Sequence, residues 1–327
     1  MREPAFWRGK TAGAAFLSTL LSPLGHAYGC SVLFREARAK PARPRARVVC
    51  IGNLTAGGTG KTPLAIALAK RLQARGAKVV FLTRGYGGKT KGAVEVRAAH
   101  RSEDVGDEPL LLKTAAPTVV SPNRELGARM CDAMGADVIV MDDGHQNFQI
   151  AKDLSIAVVG GGGFGNGKLI PAGPLREPIA RGLARADAVI LSGGVAHTLS
   201  FPGPVLRSRI VPEDGEALLR ARVFAFAGIG EPDRFFDTLK ALGANVAGSL
   251  AFPDHHLFAE REIAALREAA SEKDARLITT EKDFVRLSET QREGIAPLRI
   301  RAVFDDEDAL EALLDRVYPP RNNKTHE

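Results

Sequence analysis

The sequence predicts an α/β fold: a mostly parallel sheet flanked by helices, with a smaller α/β domain after it and a short interfacial helix before it. Three observations carry this. Near-continuous apolar runs alternate with helical patterns, as in a parallel sheet covered on both faces. A glycine-rich loop separates the first such run from the first helix. After "PEDGEAL" (212–218) the alternation starts afresh. The expected units are therefore 1–47, a basic docking segment; 48–214, the main sheet; and 215–327, the smaller domain.

With 327 residues, 45% of them hydrophobic, the chain can bury real cores. Its three cysteines, Cys30, Cys50 and Cys131, are odd in number and share no CxxC spacing, which argues against a disulfide framework or a zinc site and fits a reducing cytosol. The formal charge is +7, and residues 1–47 account for all of it: Arg2, Arg8, Lys10, Arg35, Arg38, Lys40, Arg43, Arg45 and Arg47 stand against Glu3 and Glu36. A nucleic-acid binder would spread basic charge over its folded body, so the expected partner is an anionic membrane and not nucleic acid.

The leader also holds an uncharged stretch, residues 11–34, interrupted by Pro23, Gly25, His26 and Gly29. It is too diluted for a spanning helix. Phe6, Trp7, Phe16, Leu17, Leu20 and Leu21 supply an apolar face for a helix lying in the interface, with Trp7 at the headgroup boundary. A helix packed on its own domain and a cleaved signal peptide are the alternatives. The run "KPARPRAR" (40–47) reads as a solvated connector.

Beyond it, "VVCIGN" is a strand, 63–76 a helix with a glycine stop, and "KVVFLTRGYGG" a strand ending in a glycine-rich turn. Strands follow at 117–121, 137–143, 154–159 and 188–192, with a helix at 123–134. In the last part "RVFAFAGIG" and "RLITT" are strands, and helices are expected at 232–243, 260–272 and 307–317.

The loop "NLTAGGTGKTP" is built for nucleotide phosphates. Thr55, Ala56, Gly57, Gly58, Thr59 and Gly60 offer backbone N–H groups, Lys61 reaches the β- and γ-phosphates, and Thr62 suits magnesium. Pro63 is tolerated because first-turn N–H groups lack helical partners. The strict GxxxxGK[ST] pattern would have glycine where this chain has Thr55. In "VIVMDDGHQN" an apolar strand ends in Asp142, an acid expected beside the magnesium, and Asp143 follows it. ATP and Mg²⁺ are the expected cofactors. A GTPase switch is disfavoured: the residues three after these aspartates are His145 and Gln146 instead of glycine, and "TTEKD" lacks the NKxD spacing.

"GNLTAGGTGKTP", "LTRGYGG", "VGDEPLLL", "DDGHQN", "GNGKLIPAGPLREP", "FPDHH" and "TTEKDFVRL" occur in this order. Together they resemble the tetraacyldisaccharide 4'-kinases, the lipid A kinases of Gram-negative bacteria. The resemblance implies transfer of the ATP γ-phosphate to the 4'-hydroxyl of a tetraacylated glucosamine disaccharide 1-phosphate at the cytoplasmic face of the inner membrane, giving lipid IVA. It also implies Asp107 as general base with His255 as its partner, and Thr62, Asp142 and Glu177 as magnesium ligands. Arg176, Arg124 and Lys61 would neutralise the transferring phosphoryl group or bind the acceptor's phosphate, and Asp143 and Gln146 would complete the polar wall. In the commoner family pattern a histidine follows the glutamine; here His145 precedes it and Asn147 follows, which leaves that histidine's role unassigned. Read without the family, Asp107 would serve as a helix N-cap, His255 and His256 as a surface pair, and Arg176 with Glu177 as a loop ion pair. A P-loop kinase of a soluble acceptor and a nucleotide-dependent transport module are the competing functions.

Overall fold

The computed structural model describes residues 4–9, 11–193, 199–213 and 215–320; Arg2, Glu3 and Lys10 of the basic leader lie outside them. A long helix, α1 (Ala12–Arg38), comes first, capped by the Thr11 side chain. The main sheet is then built from β1 (Arg47–Asn53), α2 (Lys61–Ala74), β2 (Val79–Thr83), β3 (Val94–Glu95), α3 (Ser102–Val105), α4 (Asp107–Lys113), β4 (Thr118–Val120), α5 (Arg124–Ala133), β5 (Val138–Asp142), β6 (Leu154–Val159), α6 (Ile179–Ala184), β7 (Ala188–Ser192) and β8 (Val205–Pro212).

A smaller sheet follows, formed by α7 (Gly215–Leu218), β9 (Arg222–Ala227), α8 (Pro232–Ala241), β10 (Asn245–Ala251), α9 (Glu260–Ser271), β11 (Arg276–Thr280), α10 (Glu281–Arg286), α11 (Glu289–Arg292) and β12 (Ile295–Leu298). Its four strands run parallel in the order β10-β9-β11-β12. Alternation along β9 sends Val223, Ala225 and Ala227 to the α8 face and Phe224 and Phe226 to the α9 face.

The chain then goes back. Strand β13 (Ile300–Phe304) pairs antiparallel with β8, and α12 (Glu307–Asp315) joins the core of the main sheet. The main sheet therefore has nine strands, β13-β8-β7-β6-β1-β5-β2-β4-β3. This corrects the expected boundary: residues 300–315 belong with the large sheet. The apolar side chains Ala302 and Phe304 of β13, and Leu310, Leu313 and Leu314 of α12, find their core partners on α2 and β1, not on the smaller sheet.

Helix α2 shows why these residues make this element. Leu64, Leu68 and Leu72 recur every four residues and are buried against Val49, Ile51 and Phe81; each contributes roughly 1.5–3 kcal/mol. Gly76, at φ 88°, ends the helix, and the Ala77 N–H closes onto Leu72 O at 3.0 Å. On the opposite face Val48 and Cys50 pack with α5. Strand order reverses at β1, which lies between β5 and β6, so the C-terminal edge there forms the crevice in which open α/β sheets bind ligands.

Helix α1 runs unbroken past Pro23, with its small residues turned inward and most of its large apolar residues outward. Ala14, Ser18, Gly25, Gly29 and Val32 face inward. Space forces this: a Cβ on Gly25 would stand 2.9 Å from Leu169 O, and one on Gly29 would stand 2.6 Å from Leu169 Cδ1. The large residues Phe16, Leu17, Leu20, Leu24 and Phe34 are exposed. Trp7, expected at the lipid boundary, is instead buried, with its indole Nε1–H donating to Pro171 O at 3.0 Å; Phe6 and Leu21 are half-buried. The 40–47 connector is also held down, since Ala42 bridges to Ile150 and the Asp132 carboxylate accepts from the Arg45 and Ala46 N–H groups. Among the described residues no helix is long and apolar enough to cross a membrane.

Candidate active site

The phosphate loop connects the end of β1 to α2 with Gly57 (φ 103°) and Gly60 (φ 77°) in the left-handed region. Thr55 stands where strict phosphate loops have glycine, and its backbone keeps an ordinary negative φ. It bridges antiparallel to Leu175 and is flanked by the bonds Ala56 N–H to Pro174 O (2.7 Å) and Arg176 N–H to Leu54 O (2.7 Å). No glycine is required there, and the Ala56 N–H is already engaged. A Cβ on Gly58 would meet nothing within 4 Å, so the loop borders open space there.

Lys61 donates to Asn53 Oδ1 at 3.1 Å and lies 3.5 Å from Asp143 Oδ1. Thr62 Oγ1 donates to Asp142 Oδ2 at 3.3 Å. Asp142 is fully buried at the tip of β5, and register pairs it with Ile51 of β1. Its Oδ1 and the Thr59 hydroxyl are buried without a partner. Burial, with Glu108 adding to it, pushes the Asp142 carboxyl up to about 7. A carboxylate desolvated in this way beside a threonine hydroxyl fits a small divalent cation, which takes one or two carboxylates and completes its shell with phosphate and water. Among the described residues there is no cluster of three His, Cys, Asp or Glu side chains, so such an ion would rest on this sparse set.

Asp143 has φ 51°, and both its oxygens accept from Arg176 Nη1, at 2.9 and 3.0 Å. Burial pushes its pKa up, but Lys61 and Arg176 together hold it below the ordinary carboxylate value. Arg176 thus pairs with Asp143, and not with Glu177 as the loop-pair reading had it. Arg124 is buried, donates from Nη1 to Ser121 O at 2.7 Å and keeps an unpartnered Nε; burial lowers its pKa to about 10, which leaves it charged at neutral pH.

Glu177 is held apart from this group. It is 1% exposed, accepts from Gln146 Nε2 at 2.8 Å and pairs with Arg185, which also binds Glu36 of α1 at 2.9 Å. Among the described residues no bond joins Glu177 to Thr62 or Asp142. Gln146 Nε2 also donates to Asn53 O at 2.8 Å. His145 is a scaffold residue: its ring is buried between Gly182 O (2.9 Å) and Ser155 Oγ (3.3 Å), and burial, helped by Lys152, lowers its pKa to about 4. Asn147 turns the chain, accepting the Gln149 N–H at 3.1 Å.

Asp107 opens α4, and Gly106 (φ 92°) takes the N-cap position, so Asp107 is not the cap that its local sequence suggested. Its Oδ2 receives His255 Nδ1–H at 2.7 Å from the other sheet's side, so His255 is not merely a surface residue. Helix α4 packs on α2, and Glu108 raises the Asp142 carboxyl, so the Asp107 end of α4 lies toward the phosphate loop. His256 does form a local pair, with Glu262 at 2.9 Å. Sequence reasoning missed Asn53, Arg185 and Arg286. For Arg286 the available signal was the Asp283/Arg286 spacing of three residues on a helix inside "TTEKDFVRL".

Comparison with known proteins converges on one family. The family model described as tetraacyldisaccharide-1-P 4'-kinase matches residues 17–318. The tetraacyldisaccharide 4'-kinase of Rhodospirillum rubrum is 48% identical over 97% of this chain and 98% of its own length. That of Paramagnetospirillum magneticum is 48% identical over 97% and 99%. The crystal structure of LpxK from Aquifex aeolicus in complex with ATP superposes with a TM-score of 0.77 at 27% identity, covering 92% of this chain and 99% of that one.

Proposed function

The chain belongs to the tetraacyldisaccharide-1-P 4'-kinase family, and from that premise we propose which of its residues carry the transfer and how it reaches its acceptor. The enzyme is an ATP-dependent kinase that phosphorylates the 4'-hydroxyl of a lipid A precursor, tetraacyldisaccharide 1-phosphate, to give lipid IVA.

The observation that carries the assignment of roles is the Asp107–His255 pair, joined at 2.7 Å across the two sheets. Asp107 accepts the proton of the acceptor hydroxyl as the oxygen attacks the γ-phosphorus, while the β–γ bridging bond breaks toward ADP. A carboxylate is a weak base for an alcohol. The loose transition state of phosphoryl transfer asks for little early deprotonation, and His255 fixes the carboxylate's orientation. Lys61, released from Asn53, meets the β- and γ-phosphates, and Arg176 and Arg124 stabilise charge spreading over the equatorial oxygens. Backbone N–H groups of residues 57–62 orient the phosphate tail.

Thr62 and the unpartnered Asp142 Oδ1 would hold Mg²⁺, which when bound neutralises charge on the β- and γ-phosphates. Glu177 is a lesser ligand candidate, because Gln146 and Arg185 already take its oxygens.

The outward face of α1 docks the enzyme on the anionic inner leaflet. Phe16, Leu17, Leu20, Leu24 and Phe34 are exposed along it, and Arg35 and Arg38 lie in its last turn to meet lipid phosphates. An acceptor whose acyl chains stay in the bilayer requires an enzyme that comes to it.

The test is a transfer assay with γ-labelled ATP, magnesium and detergent-dispersed tetraacyldisaccharide 1-phosphate. Label is expected in a bisphosphorylated lipid with the wild type and lost with Asp107→Asn. Label in the lipid from Asp107→Asn at the wild-type rate would sink the assignment of the base.

A further inference from the structure

The segment "TTEKDFVRL" takes no part in the roles above, yet its last charged residue reaches the proposed base. Arg286, at the end of α10, is 1% exposed at its side chain. Its Nη2 donates to Asp107 Oδ2 at 2.7 Å, the oxygen that also receives His255 Nδ1–H. Its Nη1 donates to Asp283 Oδ1 and to Gly228 O, both at 2.7 Å. Asp283 is itself immobilised: it is fully buried, and Oδ2 accepts from the Thr280 hydroxyl at 2.7 Å and the Gly228 N–H at 3.1 Å.

The Gly228 carbonyl ties this frame to the histidine. It accepts the His255 N–H at 3.0 Å as well as Arg286 Nη1, and His255 sits there at φ 61°, a left-handed conformation that costs energy for a side chain with a Cβ. A side chain at position 228 would meet Asp283 Oδ1 at 3.1 Å, His256 Cβ at 3.1 Å and Pro253 O at 3.2 Å. One carbonyl therefore sets both groups that converge on Asp107 Oδ2. No hydrogen bond among the described residues falls on Oδ1, which is left for the acceptor.

Building on the role proposed above for Asp107, the geometry points to Arg286 as a positioning residue: buried on the Thr280–Asp283–Gly228 frame, it fixes the Asp107 carboxylate and keeps it ionised so that Oδ1 can take the acceptor proton. A planar fork that donates in two directions suits this better than a point charge. The charged and titratable groups around Asp107 are His255 from the "FPDHH" loop, with Asp254 3.8 Å beyond it, Arg286 and Asp283 from α10, and Glu108 next to it on α4. Burial pushes the Asp107 carboxyl up, but the hydrogen bonds from His255 and Arg286 outweigh it and hold the group at about 2. With the arginine gone, the burial remains and the pKa rises, so activity is lost as pH falls through the raised value.

The experiment measures kcat and KM between pH 4.5 and 8.5 in the same transfer assay, for wild type, Arg286→Met, Arg286→Lys and Asp107→Asn, with ATP binding and thermal unfolding as checks on folding. Wild-type kcat should show no limb from Asp107 on the acid side. Arg286→Met should lose about tenfold or more in kcat, gain an acidic limb and keep KM for ATP within about twofold; Arg286→Lys, which keeps the charge, should recover part of the rate and remove the limb. Two results would overturn the inference while the Asp107 reading stands: a wild-type profile in Arg286→Met beside an inactive Asp107→Asn, or a loss in Arg286→Met that is uniform with pH and unrelieved by lysine. Wild-type turnover in Asp107→Asn would overturn both.

Discussion

Lys61 and Asn53 face each other across the phosphate loop, with Lys61 Nζ 3.1 Å from the Asn53 amide oxygen. The last residue of β1 thus holds the cation proposed above to meet the phosphates. Asn53→Asp would turn this bond from an ammonium to a neutral amide into an ion pair that competes with ATP. ATP affinity should fall roughly tenfold, about 1.4 kcal/mol, as read by calorimetry. Unchanged affinity would mean that the contact of Lys61 with residue 53 does not compete with ATP.

Two glycines near this site should separate packing from phosphate binding. A Cβ on Gly52 would lie 2.5 Å from His145 Cβ and 2.7 Å from its backbone nitrogen, whereas one on Gly58 would meet nothing within 4 Å. Gly52→Ala should cost about 2 kcal/mol in urea unfolding, from overpacking against a rigid neighbour. Gly58→Ala should leave stability within about 0.5 kcal/mol and weaken ATP binding. Equal stability losses in the two variants would contradict the packing described here.

The outward face of α1 predicts a loss of membrane binding that is separable from chemistry. Leu17→Glu with Leu20→Glu adds two charges at positions that are 46% and 63% exposed. Sedimentation with anionic vesicles should drop at least tenfold, while turnover on detergent-dispersed acceptor stays within about threefold. Undiminished vesicle binding would remove α1 as the docking element.

Acid stability should depend on His145. Its ordinary value of 6.5 falls to about 4 in the folded chain, chiefly through burial. The unfolded chain therefore takes up a proton first as pH falls. Stability from this site is complete above about pH 6.5 and declines toward pH 4, by an amount of order 3 kcal/mol. In urea unfolding at pH 7 and pH 4.5, His145→Gln should show a smaller difference than wild type. An equal difference would assign the acid loss to other groups.

The middle of the main sheet was legible because β1, β2 and β4 to β7 are apolar on both faces, whereas β3 and β8, partly exposed, were not read as strands. The phosphate loop was legible because its glycines and Lys-Thr lie between a strand and a helix. The Asp107–His255 pair was not legible from local pattern; only the family resemblance linked two residues so far apart in sequence. The fate of Trp7 was hidden for a different reason. An aromatic residue near an apolar face suits either lipid or a protein groove, and Trp7 is claimed by the Pro171 carbonyl, while the inward contact of α1 is made by the small residues Ser18, Gly25 and Gly29, to which Leu169 and Ala172 come close. Strand β13 was missed because its membership depends on a partner, β8, separated from it by the whole smaller sheet.

That late partner has a consequence for how the protein is made. Helix α2, which carries Lys61 and Thr62, is backed by α12 through Arg71 with Glu307 and Arg75 with Glu311 and Asp315. A ribosome finishes the phosphate loop long before it reaches residue 307; at ~5–20 residues per second the wait is roughly 12–50 s. During that interval the outer side of α2 is uncovered, and from the time residue 212 is made β8 is an open sheet edge. The nascent chain should need a chaperone in that window, and a copy ending before residue 300 should aggregate before it binds nucleotide.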